Sequence, residues 1–367
     1  MNLTENEKNA LQTELFAPSP SVTKSFQSVV GVVHRISTRE KRSPAEVEAR
    51  QNEIEAQINE IAETSPWKAN PGVGYAPRVL VQATLPYREP KDAPHGWARR
   101  SGEVILSIQP GLIEDVEASM RTGKTVMKSR GYPYGTIPRL FLIWAMTHVK
   151  EHQSRTLHLG ASAGDFMNAM GINAKGGEEF RRVREQLTRL FAARISAQRV
   201  RTDEKSGYVN EQYEHISITD SSDTWWRPIG SDLPHADKSF VFKSVLTLSE
   251  KFYNEIVANP VPIDLRRLRL IKGSVMAIDV YCWLTYRNFT MNDRTQFIRW
   301  ETLQGMLGGG AESVPKFAQS FRNTYKKICE MGYTPKVDFK SDGLILTKSA
   351  PDVPPRLRSA SSQYIEN

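Results

Sequence analysis

Two stretches of the chain set cationic and amide side chains at helical spacing opposite an apolar stripe, the residue types that bond phosphate oxygens and base edges. From Glu178 to about Ala193, Phe180, Val183, Leu187, Leu190 and Phe191 recur on one side, and Arg181, Arg182 and Arg189 face away with Arg184 at the margin. From Val314 to Met331 the stripe is Val314, Phe317, Phe321, Tyr325 and Ile328, and Lys316, Gln319, Asn323 and Lys326 line the opposite face beside Lys327. Arg and Lys suit guanine edges or phosphates, and Gln and Asn pair bidentately with adenine, each good contact giving about 1–3 kcal/mol of discrimination. Lys175 ahead of the first helix, Arg194 just after it and Arg322 within the second complete the candidate set. Gly176 and Gly177 free the backbone before the first helix, where unpaired N–H groups can meet a phosphate. Arg266 and Arg267, with Arg269 and Lys272, form a further cluster that could grip phosphates, although Leu265, Leu268, Leu270 and Ile271 place it partly in the core.

Any amphipathic helix turns polar residues outward, so one such face means little. What raises these two is their matching position in a pattern that occurs twice. Thr136 caps a helix with Pro138 in its first turn, and Leu140 to Met146 make it apolar nearly all round. A short strand (Thr156 to Leu159), a short helix (Ser162 to Met170), a Gly-rich turn, the longer amphipathic helix and two strands (Ile195 to Arg201, Tyr208 to Ile218) follow. The second copy runs from the apolar helix near Ser274 through a strand (Thr295 to Arg299), a helix (Trp300 to Leu307) and Gly308-Gly309-Gly310 to the Val314 helix and a hairpin through Ser341-Asp342-Gly343. Trp144 and Trp283 stand 139 residues apart, and Glu178 and Val314 stand 136 apart. This order predicts an α+β, mainly helical protein with tandem winged-helix domains, each a helix-turn-helix plus a β-hairpin that lays its last helix in the major groove.

The expected boundaries are a flexible arm over 1–43, an acidic helix and linker over 44–75, a first winged-helix domain over 76–225, a second over 226–350 and a disordered tail over 351–367. Ser43-Pro44 with Glu46 starts the acidic helix, whose one Arg and six Glu between Ala45 and Glu63 would be repelled by a nucleic-acid backbone, so it is expected to dock on protein. Strand-like runs over Val79 to Leu85 and Glu103 to Ile108 open the folded core.

The whole chain carries 49 Lys+Arg against 41 Asp+Glu, and the stretch from Arg121 to Lys205 alone holds sixteen against seven. That concentration points to a polyanionic partner. Cys282 and Cys329 have no C-x-x-C neighbour, which excludes a disulfide framework and a Cys-rich zinc site and fits a reducing, cytoplasmic location. No apolar run approaches membrane-spanning length, and Met1 to Ala10 is polar, so no membrane partner is expected. Enzyme motifs are poor, and neither catalytic residues nor a metal or other cofactor is expected. Gly123-Lys124-Thr125 has Ala118 where a phosphate-binding loop needs its first glycine. His148 and His152 lack the glutamate placement of an H-E-x-x-H zinc site, and no two of the seven histidines are two positions apart, as a metal-dependent nicking enzyme would need.

The run Gly131-Tyr132-Pro133-Tyr134-Gly135-Thr136-Ile137-Pro138-Arg139 resembles the plasmid-encoded RepA-type replication initiator family. Leu157 to Gly160, Phe166-Met167, Met170 to Ile172, Gly176-Gly177 and Gln186 to Phe191 resemble the rest of its signature, and Arg100 to Gly111 its leading strand. The resemblance runs over Val79 to Lys348, weaker after Asp220, and does not reach the first 75 residues. It implies a bacterial, plasmid-borne initiator that binds repeated double-stranded sequences (iterons) at the origin, helps open the duplex and recruits host replication proteins such as an initiator or the replicative helicase. By analogy it also implies a monomer–dimer equilibrium. Three further readings stay open: a winged-helix repressor or autoregulator without initiation activity, a nicking enzyme, and an assembly scaffold using the acidic helix.

Overall fold

The structure, a computed structural model, describes residues 43–70, 72–93, 95–158, 172, 177–202, 209–223, 245–292, 294–309 and 313–355. It is a mixed helical and sheet protein. Helix α1 (Pro44–Glu63) begins with a capping box in which Ser43 accepts from the Glu46 amide and Glu46 reaches back to the Ser43 amide. Strand β1 (Val73–Pro77) and helix α2 (Arg78–Gln82) lead to the hairpin β2 (Trp97–Ser101) and β3 (Val104–Gln109), where alternation buries Leu106 and Ile108. A small excursion follows: β4 (Leu112–Glu114), α3 (Val116–Thr122) and β5 (Met127–Ser129).

Helix α4 (Thr136–His152) is buried on most sides, as its near-continuous apolar run requires. Next come β6 (Thr156–His158), α5 (Gly177–Ala192), β7 (Arg194–Thr202), β8 (Val209–Ile216), β9 (Thr219–Asp223), β10 (Val245–Leu248) and α6 (Glu250–Ala258). The remainder is β11 (Pro260–Asp264), α7 (Leu265–Ile271), α8 (Val275–Thr290), β12 (Thr295–Arg299), α9 (Trp300–Leu307), α10 (Val314–Glu330), β13 (Lys336–Phe339) and β14 (Gly343–Thr347). The short helix read at Ser162 to Met170 lies outside the described residues.

Among the described residues the two halves share a central helix, a strand, an amphipathic helix and a hairpin in the same order, but the strands pair differently. In the later half β12, β14 and β13 form one antiparallel sheet, the first strand pairing with the hairpin. In the earlier half the β7–β8 hairpin joins β2 and β3 in the order β2-β3-β7-β8, while β6 pairs with β10. The leading hairpin occupies the edge of β7 from Val104↔Arg199 to Gln109↔Arg194. Residues 245–258, read from sequence as part of the second domain, therefore sit with the first: β10 pairs with β6 and β9, and α6 packs on α4.

The halves are joined through their interiors. β1 pairs with β11 from Val73↔Asp264 to Pro77↔Pro260. Arg139 of α4 and Asp279 of α8, each 6% exposed, form a two-pronged pair at 2.7 and 2.9 Å, and the same guanidinium donates to the carbonyls of Leu85, Pro86 and Gly135. Arg99 of β2 donates to the Met306 and Gly308 carbonyls at the end of α9, so the first sheet grips the second helical unit. Burial lowers the Arg99 pKa to about 10.

The segment after β14 returns over α7 and α8. Asp352 accepts from Arg267 Nε at 2.8 Å and from Tyr281 Oη at 2.5 Å, Val353 is buried, and the Pro354 carbonyl accepts from Trp67 Nε1. Removing the carboxylate with Asp352→Ala strands a 12%-exposed guanidinium and a buried phenol. We expect a loss of about 2–4 kcal/mol in chemical denaturation. A loss under about 0.5 kcal/mol means that this strap contributes nothing to the fold.

Candidate nucleic-acid interface

The two amphipathic helices dock as their periodicity requires. On α5, Val183, Leu187 and Leu190 are fully buried, and Phe191 meets Phe141 edge-on at 5.2 Å. On α10, Phe317 and Phe321 are fully buried against Trp300, and Ile328 is 2% exposed. These contacts fix which faces remain for a partner.

The outward face of α5 is narrower and less positive than its sequence implies. Arg181 and Arg182 are exposed, and Arg184 is half-buried at the margin, where its carbonyl accepts from Thr188. Glu178 and Glu185 share that surface, Glu178 lying 3.9 Å from Arg181. Arg189 is turned inward, which corrects its reading as an outward residue. It is 11% exposed, bonds Glu89 and Glu185 at 2.6 Å each, donates to the Tyr132 carbonyl and lies over the Tyr134 ring at 5.5 Å. Gln186, 3% exposed, accepts from the Tyr134 amide at 2.8 Å. Both residues tie α5 to the turn at 131–135. Gly131 makes that approach possible: its φ is +86°, and a Cβ there would lie 2.8 Å from both the Arg189 guanidinium carbon and Glu89 Oε1.

Arg194 is exposed at the start of β7. Lys175 and Gly176 lie outside the described residues.

The face of α10 is more regular. Lys316, Gln319, Asn323 and Lys326 are all exposed, and Gln319 Nε2 donates to Asn323 Oδ1 at 3.2 Å, which orients the two amides together. Lys326 is 63% exposed and 4.0 Å from Glu330. Arg322 is an anchor instead. Its guanidinium lies 4.8 Å over Trp300 and 5.6 Å over Phe339, and it donates to the Lys340 carbonyl, pinning α10 to α9 and the hairpin. Lys327 is half-buried, and burial lowers its pKa.

Arg266 and Arg267 are also corrected. Arg266 is 9% exposed, chelates Asp264 through two nitrogens and donates to the Thr64 carbonyl, holding the end of α1 against α7. Arg267 serves the Asp352 strap and the Met331 carbonyl. Neither can reach a phosphate without leaving a buried carboxylate unpaired. The leucines around them were the sequence signal for this outcome.

The structure adds cations that helix periodicity does not reveal. Arg294 precedes β12, Arg299 ends it, and Lys336 and Lys340 stand on the β13–β14 hairpin, all exposed, with Lys340 bonded to Asp338 at 2.7 Å. Gly343 lets the hairpin close on β12, because a Cβ there would sit 2.3 Å from the Ile298 carbonyl oxygen. A strand pattern with a charged residue at each end was the available signal.

Gly123-Lys124-Thr125 follows the end of α3, so its amides do not open a helix N-terminus. His148 and His152 stack at 4.1 Å, and burial lowers the His148 pKa. Among the described residues no group of three or more His, Cys, Asp or Glu is placed to hold a metal, and no helix is long and apolar enough to cross a membrane.

Residues 132–302 match the family model described as plasmid encoded RepA protein. The resemblance read above over Val79 to Lys348 is thus matched from the Tyr132 turn to the start of α9. Two crystal structures are similar in outline: domains 2-3 of RctB, 12% identical with a TM-score of 0.43, covering 74% of this chain and 96% of that one; and selenomethionine derivatives of domain 2 and domain 3 of RctB, 10% identical with a TM-score of 0.44, covering 75% and 99%. No curated protein sequence matches the chain significantly.

Proposed function

We propose that the chain is a replication initiator that binds specific double-stranded DNA at a plasmid origin, without catalysis of its own. The carrying observation is the face of α10, where two cations and two pre-oriented amides are exposed in line on a helix locked to α9 and a three-stranded sheet. That arrangement fits a winged helix, with α10 in the major groove and the β13–β14 hairpin along the backbone. On α5, Arg181 and Arg182 supply phosphate contacts more than base reading, since Glu178 and Glu185 share their surface. The match to the family model of plasmid-encoded RepA proteins supports a plasmid origin as the target, and iterons are the form of target that the sequence resemblance implies. Opening of the duplex and recruitment of a host initiator or helicase belong to the same reading, as does a cytoplasmic location.

Footprinting on DNA from the replicon that encodes this chain tests the proposal. Evenly spaced protected repeats are expected; a single palindrome at a promoter would favour a repressor with the same architecture, and no protection at moderate salt would end both. Within that experiment, Arg182→Ala is expected to weaken specific and nonspecific duplexes alike and to reduce the slope of log affinity against log salt by about one. An unchanged slope removes Arg182 from the phosphate contacts.

A further inference from the structure

Phe297 stands in the middle of β12, yet its side chain is 46% exposed. Strand alternation shows where it points. Paired residues share a face, so Phe297, Ile345 and Asp338 stand in one row across the sheet. Thr295, Thr347 and Lys336 form the next row toward one end, and Arg299 stands opposite Gly343 toward the other. The opposite face carries Ile298, Leu344 and Phe339 and packs on the helices: Phe339 stacks with Trp300 of α9 and meets Phe321 and Tyr325 of α10 edge-on. Phe297 therefore looks away from α10, on a face where Thr295, Arg299, Lys336 and Asp338 are exposed with it.

The ring also has a seat. A Cβ at Gly343 would come within 2.9 Å of Phe297 Cζ, so the glycine lets the ring settle against the backbone of β14. An aromatic ring exposed on a sheet face is a platform on which unpaired bases stack, because every base has a π-face. Paired bases do not suit it: in a duplex they stack on one another and turn only their edges to the grooves.

Charge on this face fits a nucleic-acid strand. Asp338 is bonded to Lys340 at 2.7 Å, whereas Arg299 and Lys336 make no ion pair among the described residues. They flank Phe297 at opposite ends of the face, where phosphates on either side of a stacked base would lie. Over residues 294–301 and 336–348 five Lys and Arg stand against three Asp and Glu, so the surrounding elements do not reverse the sign.

We propose that the outer face of the β12-β14-β13 sheet binds single-stranded DNA, with one unpaired base on Phe297 and its neighbouring phosphates on Arg299 and Lys336. The choice of DNA rests on the initiator reading; the stacking site itself does not. Because α10 reads the duplex from the other side of the same sheet, one unit can hold paired and unpaired DNA together, as an initiator at an opened origin requires.

Fluorescence anisotropy of the full chain with a labelled oligothymidylate, which carries no origin sequence, tests this. Phe297→Leu keeps an apolar cover over Gly343 but removes the π-face, and is expected to weaken single-strand binding ~5- to 100-fold. Phe297→Tyr keeps the ring and should bind within ~2-fold of wild type. Arg299→Ala combined with Lys336→Ala should weaken binding and lower the slope of log affinity against log salt by about 1.4. The Arg299 side chain makes no cap bond to α9, and unchanged far-UV spectra and melting establish that each variant is folded. Origin duplex affinity should stay the same in the Phe297 variants. Phe297→Leu binding like wild type, Phe297→Tyr failing like Phe297→Leu, or equal losses for duplex and single strand would each overturn the proposal. Tighter binding of an oligouridylate would overturn it too, by assigning the face to RNA. A chain that protects no origin DNA but shows the split between Phe297→Leu and Phe297→Tyr would defeat the initiator reading alone, so the two failures are distinguishable.

Discussion

Replacing Lys316, Gln319 and Asn323 together by alanine is expected to collapse the preference for origin DNA over scrambled duplex by at least ~100-fold while leaving the fold intact. Each bidentate base contact is worth about 1–3 kcal/mol of discrimination, so losing two or three removes most of a specificity ratio. All three side chains are exposed, and Gln319 and Asn323 bond to each other, so stability should change by no more than about 0.5 kcal/mol. Arg181, Arg182 and Arg194 remain to hold phosphates, so nonspecific affinity should fall far less. Competition binding with labelled origin and scrambled duplexes at one salt concentration measures the ratio. If it is unchanged, α10 is not the reading helix.

Asp279→Ala should be among the most damaging single substitutions in the protein, lowering stability by about 3–5 kcal/mol in chemical denaturation. Arg139 is buried to the same degree as Asp279, and without the carboxylate its charge has no counter-ion inside the core. An apolar double replacement, Arg139→Met with Asp279→Leu, should recover only part of the loss. The Leu85 and Gly135 carbonyls accept from this guanidinium and would lose a donor, at about 1–3 kcal/mol for each one left unsatisfied. A loss below about 1 kcal/mol for Asp279→Ala would show that the pair contributes nothing to joining the two halves.

The pair also shows what a linear pattern conceals. Arg139 falls in the Gly131 to Arg139 run whose resemblance to plasmid-encoded RepA proteins is legible, yet nothing nearby indicates its partner, which lies on the other central helix. Arg182 and Arg189 occupy one helix seven residues apart with the same chemistry. One is exposed, and the other is clamped by Glu89, a residue from a loop a hundred positions earlier. The runs that form β3 and β7 were readable singly as strands, while their pairing with each other was not.

What the chain's residues determined unaided was mostly local: helices from apolar spacing, the Ser43 cap, turns from glycine, and the buried stripes of α5 and α10, although Thr136, read as a cap, lies inside α4 after Gly135, and Val79 to Leu85, read as a strand, opens in helix α2. These depend on neighbours within a few positions, so composition and period suffice. Tertiary structure alone decided which cations face solvent and which hold the core, and which strand edge each hairpin meets. An arginine is freed or consumed by whichever carboxylate the fold brings within about 3 Å, and a strand edge by whichever segment reaches it first. Both are settled by contacts between segments far apart in sequence, which no local pattern records.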